Sequence, residues 1–481
     1  MQFDSYEFIL VFLPILFIGY YTINKINLMA GKVFIVIASA VFYIYGGWKS
    51  ASILGISIVI NFICSIAITK FNKSKKILLI IDIIANVAVL FYFKYCDYFI
   101  QSISEATGRD FVLREIILPL GISFFTFQQI MYVVNVYRNN IVHTNLLDYL
   151  VYILYFPKLL MGPMVEPVEL INQFNESNRQ ISWENVSYGI KTFSFGLFKK
   201  VILADTFAVA VTWGFSHIDA STAMDWFLIM LSYTFEIYFD FSGYSDMAVG
   251  VSKMLNIDLP INFDSPYKAL SIRDFWKRWH ISLTGFLTRY IYIPLGGSKK
   301  GKIRTCLNTM IVFLVSGIWH GSNWTFVLWG TIHGFLSVMD RMFEKRKKNI
   351  VEIVRWSCTF FAVNLLWLLF RSDSISQWWG LLLKMFTFQS MEVSDGLITA
   401  FILPETSFLL KLLNIEVINS SVRGFSLLIF FVSAYGICLI PENNYKKLEK
   451  NNWLTMVLSA VAFVWSFLCF SSESVYIYSN F

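Results

Sequence analysis

Apolar residues fill this chain in long runs parted by short polar loops, in place of the one-sided periodicity of helices that pack on a water-soluble core. Runs that span a bilayer, or nearly so, lie at about 8 to 23, 33 to 47, 51 to 69, 77 to 98, 115 to 137, 148 to 165, 187 to 214, 225 to 250, 305 to 342, 351 to 371, 424 to 440 and 452 to 471. The pattern predicts an all-α polytopic membrane protein with about eleven transmembrane helices, residues 1–481 forming a single membrane-embedded domain. Lys199 and Lys200 interrupt the run from 187 to 214, which predicts that it divides into two pieces.

Three stretches depart from the pattern. Between 251 and 304, Ser271-Ile-Arg-Asp-Phe-Trp-Lys-Arg-Trp-His280 sets Arg, Asp, Lys and Trp at helical spacing, and Tyr290-Ile-Tyr-Ile-Pro-Leu-Gly-Gly297 reads as a turn. Too polar to span, this region predicts an amphipathic, partly re-entrant segment with Trp276 and Trp279 at the membrane interface and His280 turned inward. The stretch 372 to 423, with Trp378 and Trp379 in one amphipathic piece, predicts an extracytoplasmic loop carrying an interfacial helix. Ser316 to Gly334 holds His320 and His333, two of the chain's five histidines, inside an otherwise apolar run. Imidazole is costly at that depth, so such a residue is a candidate for function. A helix starting near Thr305 would lift His320 roughly 22 Å, past the midplane of a core about 30 Å thick. Gly-Ser-Asn then breaks the helix, and irregular backbone is tolerated there only when buried in protein or lining a cavity.

Composition sharpens the class: 56% hydrophobic and 15% charged residues, with a mean hydropathy of +0.59, lie outside the range of soluble globular proteins. The net charge of +7 does not imply nucleic acid, because the basic residues fall in short loops: Lys25 and Lys32; Lys70, Lys73, Lys75 and Lys76; Lys299 to Arg304; Arg341 to Lys348; Lys446 to Lys450. Placing these loops in the cytoplasm satisfies the positive-inside rule and predicts a multi-pass protein of the inner (plasma) membrane, among lipid, with both termini extracytoplasmic. Asp4 and Glu7, with no Lys or Arg before the first apolar run, argue against a cleaved signal peptide. The six cysteines stand singly and off any metal-ligand spacing, so no metal is expected.

Several motifs compete for chemistry. Gly296-Gly-Ser-Lys-Lys-Gly301-Lys302 has the frame of a phosphate-binding loop but continues with Ile303 where a magnesium ligand is needed. Lys299, Lys300, Lys302 and Arg304 could still meet the phosphates of a cytoplasmic cofactor, the rival reading being membrane orientation alone. His143-Thr-Asn-Leu-Leu-Asp148 has an acyltransferase-like spacing without its surroundings, and reads as a helix start capped by Thr144 or Asn145. No Gly-x-Ser-x-Gly elbow is present, which removes a serine hydrolase. Asp240-Phe-Ser-Gly-Tyr-Ser-Asp246, with Glu236 one turn earlier, admits metal or proton handling. Structural pairing, with Lys253 or the 273 to 278 cluster, is the competing reading.

Leu118-Pro-Leu-Gly-Ile-Ser-Phe-Phe-Thr-Phe-Gln128, Gly162-Pro163, Gly196-Leu-Phe-Lys-Lys-Val-Ile-Leu-Ala-Asp205, Asp240 to Asp246, Arg273-Asp-Phe-Trp-Lys-Arg-Trp-His280 and Trp319-His-Gly321 occur in that order. The series resembles the signatures of the membrane-bound O-acyltransferase family over about 115 to 343, in its bacterial alginate O-acetyltransferase and D-alanyl-teichoic-acid transferase branch. That resemblance implies a central tunnel joining a cytoplasmic donor to an outside acceptor, with His320 as catalytic histidine and His280 as a second functional histidine. The branch usually carries Arg-Asp before the Tyr-x-Tyr-Ile-Pro run, whereas Thr288-Arg289 stands here, leaving no carrier for a role of that Asp.

Acyl transfer from a thioester to a hydroxyl needs a base, and neutral histidine suits it. His320 is the expected base, and His280 is expected to position the thioester. The Asn323 amide and the Trp319 or Trp324 indole are candidates to meet the developing oxyanion, with packing as the rival role of each. The expected reaction moves an acetyl group from acetyl-CoA, a donor substrate and not a bound cofactor, to an extracytoplasmic polysaccharide. It proceeds directly or through an extracytoplasmic SGNH (AlgJ-like) acetyltransferase partner. D-alanyl transfer from a carrier protein to teichoic acid is the alternative within the class. A transporter, which should show paired broken helices in repeats, and a non-catalytic scaffold are the alternatives outside it.

Overall fold

A bilayer offers backbone N–H and C=O groups no water, so a spanning chain satisfies them within helices. The computed structural model is accordingly helical, with no strand among the described residues. It describes residues 1–481 apart from 110, 143–144, 177–179, 345–349, 388–389, 404, 406–419, 441–444, 446–447, 449–451, 471–475 and 478–481. In order come α1 (Leu13–Ile26, entered by a π-turn at Phe8–Phe12), α2 (Leu28–Ile44), α3 (Trp48–Lys70), α4 (Lys75–Thr107) and α5 (Ile122–Tyr137). The short α6 (Leu146–Leu154), α7 (Phe156–Leu159) and α8 (Pro167–Glu176) precede α9 (Trp183–Phe198), α10 (Asp205–Ser216) and α11 (Ala223–Met254). Then follow α12 (Ile272–Arg278), α13 (Ile281–Leu287), α14 (Lys302–His320), α15 (Trp324–Met342) and α16 (Glu352–Arg371). The series ends with α17 (Ile375–Phe386), α18 (Asp395–Thr399), α19 (Ser420–Leu439) and α20 (Trp453–Leu468).

By length and composition, five helical stretches among the described residues can cross a membrane: Phe8–Ile26, Trp48–Lys70, Lys75–Thr107, Lys302–His320 and Glu352–Arg371. The 32-residue α11 is buried along almost its whole length and serves as the central post. Two sequence expectations change here. The 148 to 165 run is a re-entrant hairpin: Asp148 at the start of α6 lies 2.6 Å from Lys32 Nζ, and Asn175 at the end of α8 accepts from the same ammonium. Both ends therefore return to one side, while the apex packs inside, the Phe156 amide donating to Ser39 Oγ at 3.2 Å. Conversely, 187 to 214 does not divide. Lys199–Ala204 is a π-helical segment joining α9 to α10 without a turn, and Lys199 and Lys200 are buried within it. Both chain ends lie together, Tyr476 Oη donating to Asp4 at 2.9 Å and Tyr6 Oη to the Phe467 carbonyl at 3.1 Å.

Asn145 caps α6 through the Leu147 amide at 2.9 Å, and Asp148 pairs with Lys32; His143 and Thr144 of the His-x4-Asp spacing lie outside the described residues. Trp276 and Trp279, expected at the interface, are instead buried among Phe275, Trp329 and Trp367. Within the 372 to 423 stretch, α17 ties Trp378 to the Leu365 carbonyl at 3.1 Å and leaves Trp379 exposed.

The post is positioned by two close approaches between α9 and antiparallel α11. A Cβ on Gly189 would lie 2.5 Å from the Gly250 carbonyl oxygen, and one on Gly243 would lie 2.7 Å from that of Gly196. Backbones this close admit only glycine, as in small-residue packing of membrane helices. Gly243→Ala is expected to destabilise the protein by about 1–3 kcal/mol, read as a lower unfolding midpoint of the detergent-purified protein. Gly285→Ala, where a Cβ meets nothing within 4 Å, is the control. Equal midpoints for the two variants would refute the close-contact account.

Candidate active site

Helix α14 delivers His320 at its last residue, 3% exposed. Gly317 on α14 and Gly330 on α15 bring the two helices into contact, a Cβ on either falling 3.1 Å from the other's Cα. The chain reverses over Gly321 to Asn323, and Asn323 caps α15 by accepting from the Thr325 amide at 3.2 Å. His320 Nδ1 lies 2.6 Å from the Ser316 carbonyl oxygen, one turn back. A carbonyl only accepts, so Nδ1 carries the proton and Nε2 is left as the basic nitrogen of the neutral ring. Trp319, Trp329 and Phe370 surround the imidazole at centroid distances of 4.7, 5.1 and 5.5 Å.

His280 comes from the break between α12 and α13. Ser271 caps α12 through the Asp274 amide at 3.2 Å, and Arg278 pairs with Asp274 at 2.9 Å. His280 itself is left-handed, with φ 45° and ψ 53°, a conformation that costs a non-glycine residue about 1–2 kcal/mol. Surrounding bonds enforce it: the Ile281 amide donates to the Asn262 carbonyl at 3.0 Å, Ser282 Oγ to Asn262 Oδ1 at 2.6 Å, and the Asp264 amide to the Arg278 carbonyl at 2.9 Å. The ring is fully buried between Phe241 at 4.7 Å, Trp319 at 6.3 Å and Phe124 at 6.4 Å. Neither ring nitrogen has a hydrogen-bond partner among the described residues. A buried polar group without a partner costs about 1–3 kcal/mol, so this side chain is held strained and unsatisfied beside Trp319, the neighbour of His320.

A cavity of about 250 Å³ opens between α12, α13, α14 and α15, and neither His280 nor His320 is among its lining residues. Arg273, Lys277 and Arg341 give it basic groups, Leu283, Leu287, Val312 and Phe313 an apolar wall, and it reaches Ser316, whose carbonyl fixes His320. Lys299, Lys300, Lys302 and Arg304 are exposed and are not among its lining residues. The basic lining is assembled from α12 and α15, which no run of neighbouring lysines could reveal. Trp276, also in the lining, donates from Nε1 to His333 Nδ1 at 3.2 Å, giving His333 a packing role behind the cavity.

Asp240 and Asp246 are not brought to the histidines. Lys200 lies 2.8 Å from Asp240 and 2.9 Å from Asp205, and Lys199 lies 2.6 Å from Asp246. The pairing reading stands with different partners, since Lys253 goes to Asp258 at 2.6 Å. Among the described residues, no group of three or more His, Cys, Asp or Glu could hold a metal. Of the three expected oxyanion donors, two already donate to backbone carbonyls and the third is exposed. Trp319 Nε1 donates to the Ser123 carbonyl at 3.3 Å, Asn323 Nδ2 donates to the Asp373 carbonyl, and Trp324 is 61% exposed. The sequence reading missed Lys94 on α4, whose Nζ lies 2.5 Å from the Trp319 carbonyl oxygen. Its signal was available: a single lysine inside an apolar span is as costly as an imidazole there. Arg289, at the departure from the family pattern, pairs with Glu166 at 2.6 Å, and Tyr290 Oη donates to the same carboxylate.

Comparison with known proteins accords with this geometry. Residues 74–372 match the model of the membrane-bound O-acyltransferase family. The chain is 34% identical over 523 residues to a peptidoglycan O-acetyltransferase of Helicobacter pylori, covering all of this chain and 98% of that one. It is 34% identical over 407 residues to a probable alginate O-acetylase of Pseudomonas aeruginosa, covering 82% of this chain and 76% of the relative. A teichoic acid D-alanyltransferase of Bacillus subtilis is 28% identical over 256 residues, 51% of this chain and 64% of that protein. The chain thus belongs to the membrane-bound O-acyltransferase family and is an acyltransferase of the membrane.

Proposed function

We propose that the protein takes an acetyl group from acetyl-CoA on the cytoplasmic face and passes it, at His320, to a hydroxyl on the extracytoplasmic face. The observation that carries this reading is the cavity that runs from Arg273, Lys277 and Arg341 to Ser316, the residue that orients His320. Its basic groups suit the phosphates of a nucleotide thioester, and its apolar wall suits a slim neutral arm ending in acetyl. His320 Nε2 takes the hydroxyl proton as the oxygen bonds to the acyl carbon, and the collapsing intermediate releases CoA thiolate, which recovers that proton. His280, with both nitrogens unpartnered, is the group proposed to hold the thioester in line.

The acceptor is proposed to be an envelope polysaccharide, reached directly or through an extracytoplasmic SGNH-type partner. The full-length likeness to a peptidoglycan O-acetyltransferase supports acetyl as the group and peptidoglycan as the polymer, above D-alanyl and teichoic acid, whose transferase matches half of the chain. The proposed location is the inner membrane with both termini outside.

His320→Ala is expected to lower the transfer rate by about 10² to 10⁴ while leaving the amount of protein in the membrane unchanged, and near-normal turnover would exclude it as the base. His280→Ala should raise the KM for the donor together with a fall in kcat. Sidedness is checked in vesicles of defined orientation containing the purified protein, the acceptor and any partner. Acetyl-CoA supplied only on the face bearing the 299 to 304 loop should yield acetylated acceptor on the other. Product confined to the donor's own face would replace cross-membrane transfer with one-sided chemistry.

A further inference from the structure

Transfer at His320 puts negative charge on the thioester carbonyl oxygen, and a water-poor site must supply a fixed donor for it. Of the neutral groups that sequence suggests, the Trp319 indole is spent on Ser123, the Asn323 amide gives one of its two hydrogens to the Asp373 carbonyl, and Trp324 is exposed. Lys94 offers a charged donor instead. Its ammonium has three hydrogens, and two acceptors are in place, the Trp319 carbonyl at 2.5 Å and Ser123 Oγ at 3.3 Å. It stands 5.8 Å from the Trp319 ring centroid, and the adjacent Tyr95 Oη donates to the Ile318 carbonyl, so α4 grips the last turn of α14 through two neighbouring side chains. That turn is the negative end of the helix dipole, which favours a cation there. No carboxylate among the described residues lies within ion-pair distance of Lys94.

We propose that Lys94 is a catalytic residue whose third N–H bonds the carbonyl oxygen of the acyl group as it becomes an oxyanion beside His320. The inference rests on the proposed transfer at His320. The hydroxyl oxygen bonds to the acyl carbon and its proton goes to His320 Nε2. The carbonyl π pair moves onto oxygen against Lys94, then returns as the C–S bond breaks, and the thiolate takes the proton from His320. Lys94 keeps its protons throughout.

The test uses the full chain in liposomes with acetyl-CoA and acceptor. Lys94→Gln keeps a donor for the Trp319 carbonyl but removes the charge, and should lower kcat by about 10²–10³ with donor KM within about threefold of wild type, since the bond to the neutral carbonyl is weak in the ground state and strengthens as charge develops on its oxygen. Lys94→Arg should recover at least about tenfold of that loss, because the cation returns. A Lys94→Gln enzyme with kcat within about threefold of wild type, or one whose defect lies in KM and is shared equally by Lys94→Arg, overturns the proposal. A second readout does not need turnover. In the His320→Ala background, the carbonyl stretch of bound ¹³C-acetyl-CoA should move to lower frequency than in water, and adding Lys94→Gln should abolish that shift; an unchanged stretch overturns the proposal. The failure of the transfer reading itself is seen separately, as a His320→Ala protein that turns over like wild type with Lys94 intact.

Discussion

Glycine contact between α9 and α11 is the constraint from which the interior follows. Gly243 sits midway between Asp240 and Asp246, three residues from each, so all three share one face of α11. Gly196 precedes Lys199 and Lys200 by three and four residues on the facing rod. Removing both Cβ atoms lets the backbones touch, and only then can two lysines and two aspartates meet directly in a region where water cannot serve them. Such buried pairs add little net stability over apolar packing, but losing one partner strands a charge at a cost of about 3–5 kcal/mol. The arrangement therefore specifies register more than it stabilises. It also recruits two residues from later in the chain: Tyr445 donates to Asp246 and the Ile477 amide to Asp240 at 3.0 Å.

Register in α11 is transmitted to the site. Phe241, next to Asp240 but turned about 100° around the helix, packs edge-on against His280 at 4.7 Å. Asn262 takes the other side of the same break, binding Ser245 of α11 at 3.4 Å and Ser282 of α13. The left-handed His280 is thus fixed between the post and a loop that the post itself anchors, which is how its backbone strain persists.

Much of this was readable from residue order, and the unreadable part has definite causes. His320 stood out because an imidazole in hydrocarbon needs a reason, and the Gly-Ser-Asn break placed it correctly at a helix end. Lys94 obeys the same logic, yet lysines had been sorted by the orientation rule, which treats them as loop markers. The hairpin through Phe156 was hidden because a re-entrant run and a spanning run have the same composition; only Lys32, binding Asp148 and Asn175 together, tells them apart. Lys199 and Lys200 looked like a break because Asp246 and Asp240, which face them from α11, lie 47 and 40 residues away. The basic lining of the cavity was missed for a related reason, being built from Arg273, Lys277 and Arg341 of two helices rather than from one cluster.

The orientation of His320 has a consequence for chemistry in a lipid setting. A catalytic histidine is commonly held by a carboxylate at its second nitrogen, and that carboxylate would itself need desolvation at this depth. Here the Ser316 carbonyl, four residues back on the same helix, fixes the tautomer without introducing a charge. A carbonyl oxygen has two lone pairs, so it can take the ring N–H in addition to its place in the helix ladder. The same helix end is where Lys94 takes the Trp319 carbonyl at 2.5 Å. One terminus of α14 therefore orients the imidazole and binds the Lys94 ammonium with backbone atoms alone, and no acidic side chain among the described residues lies within ion-pair distance of that ammonium to compete for it.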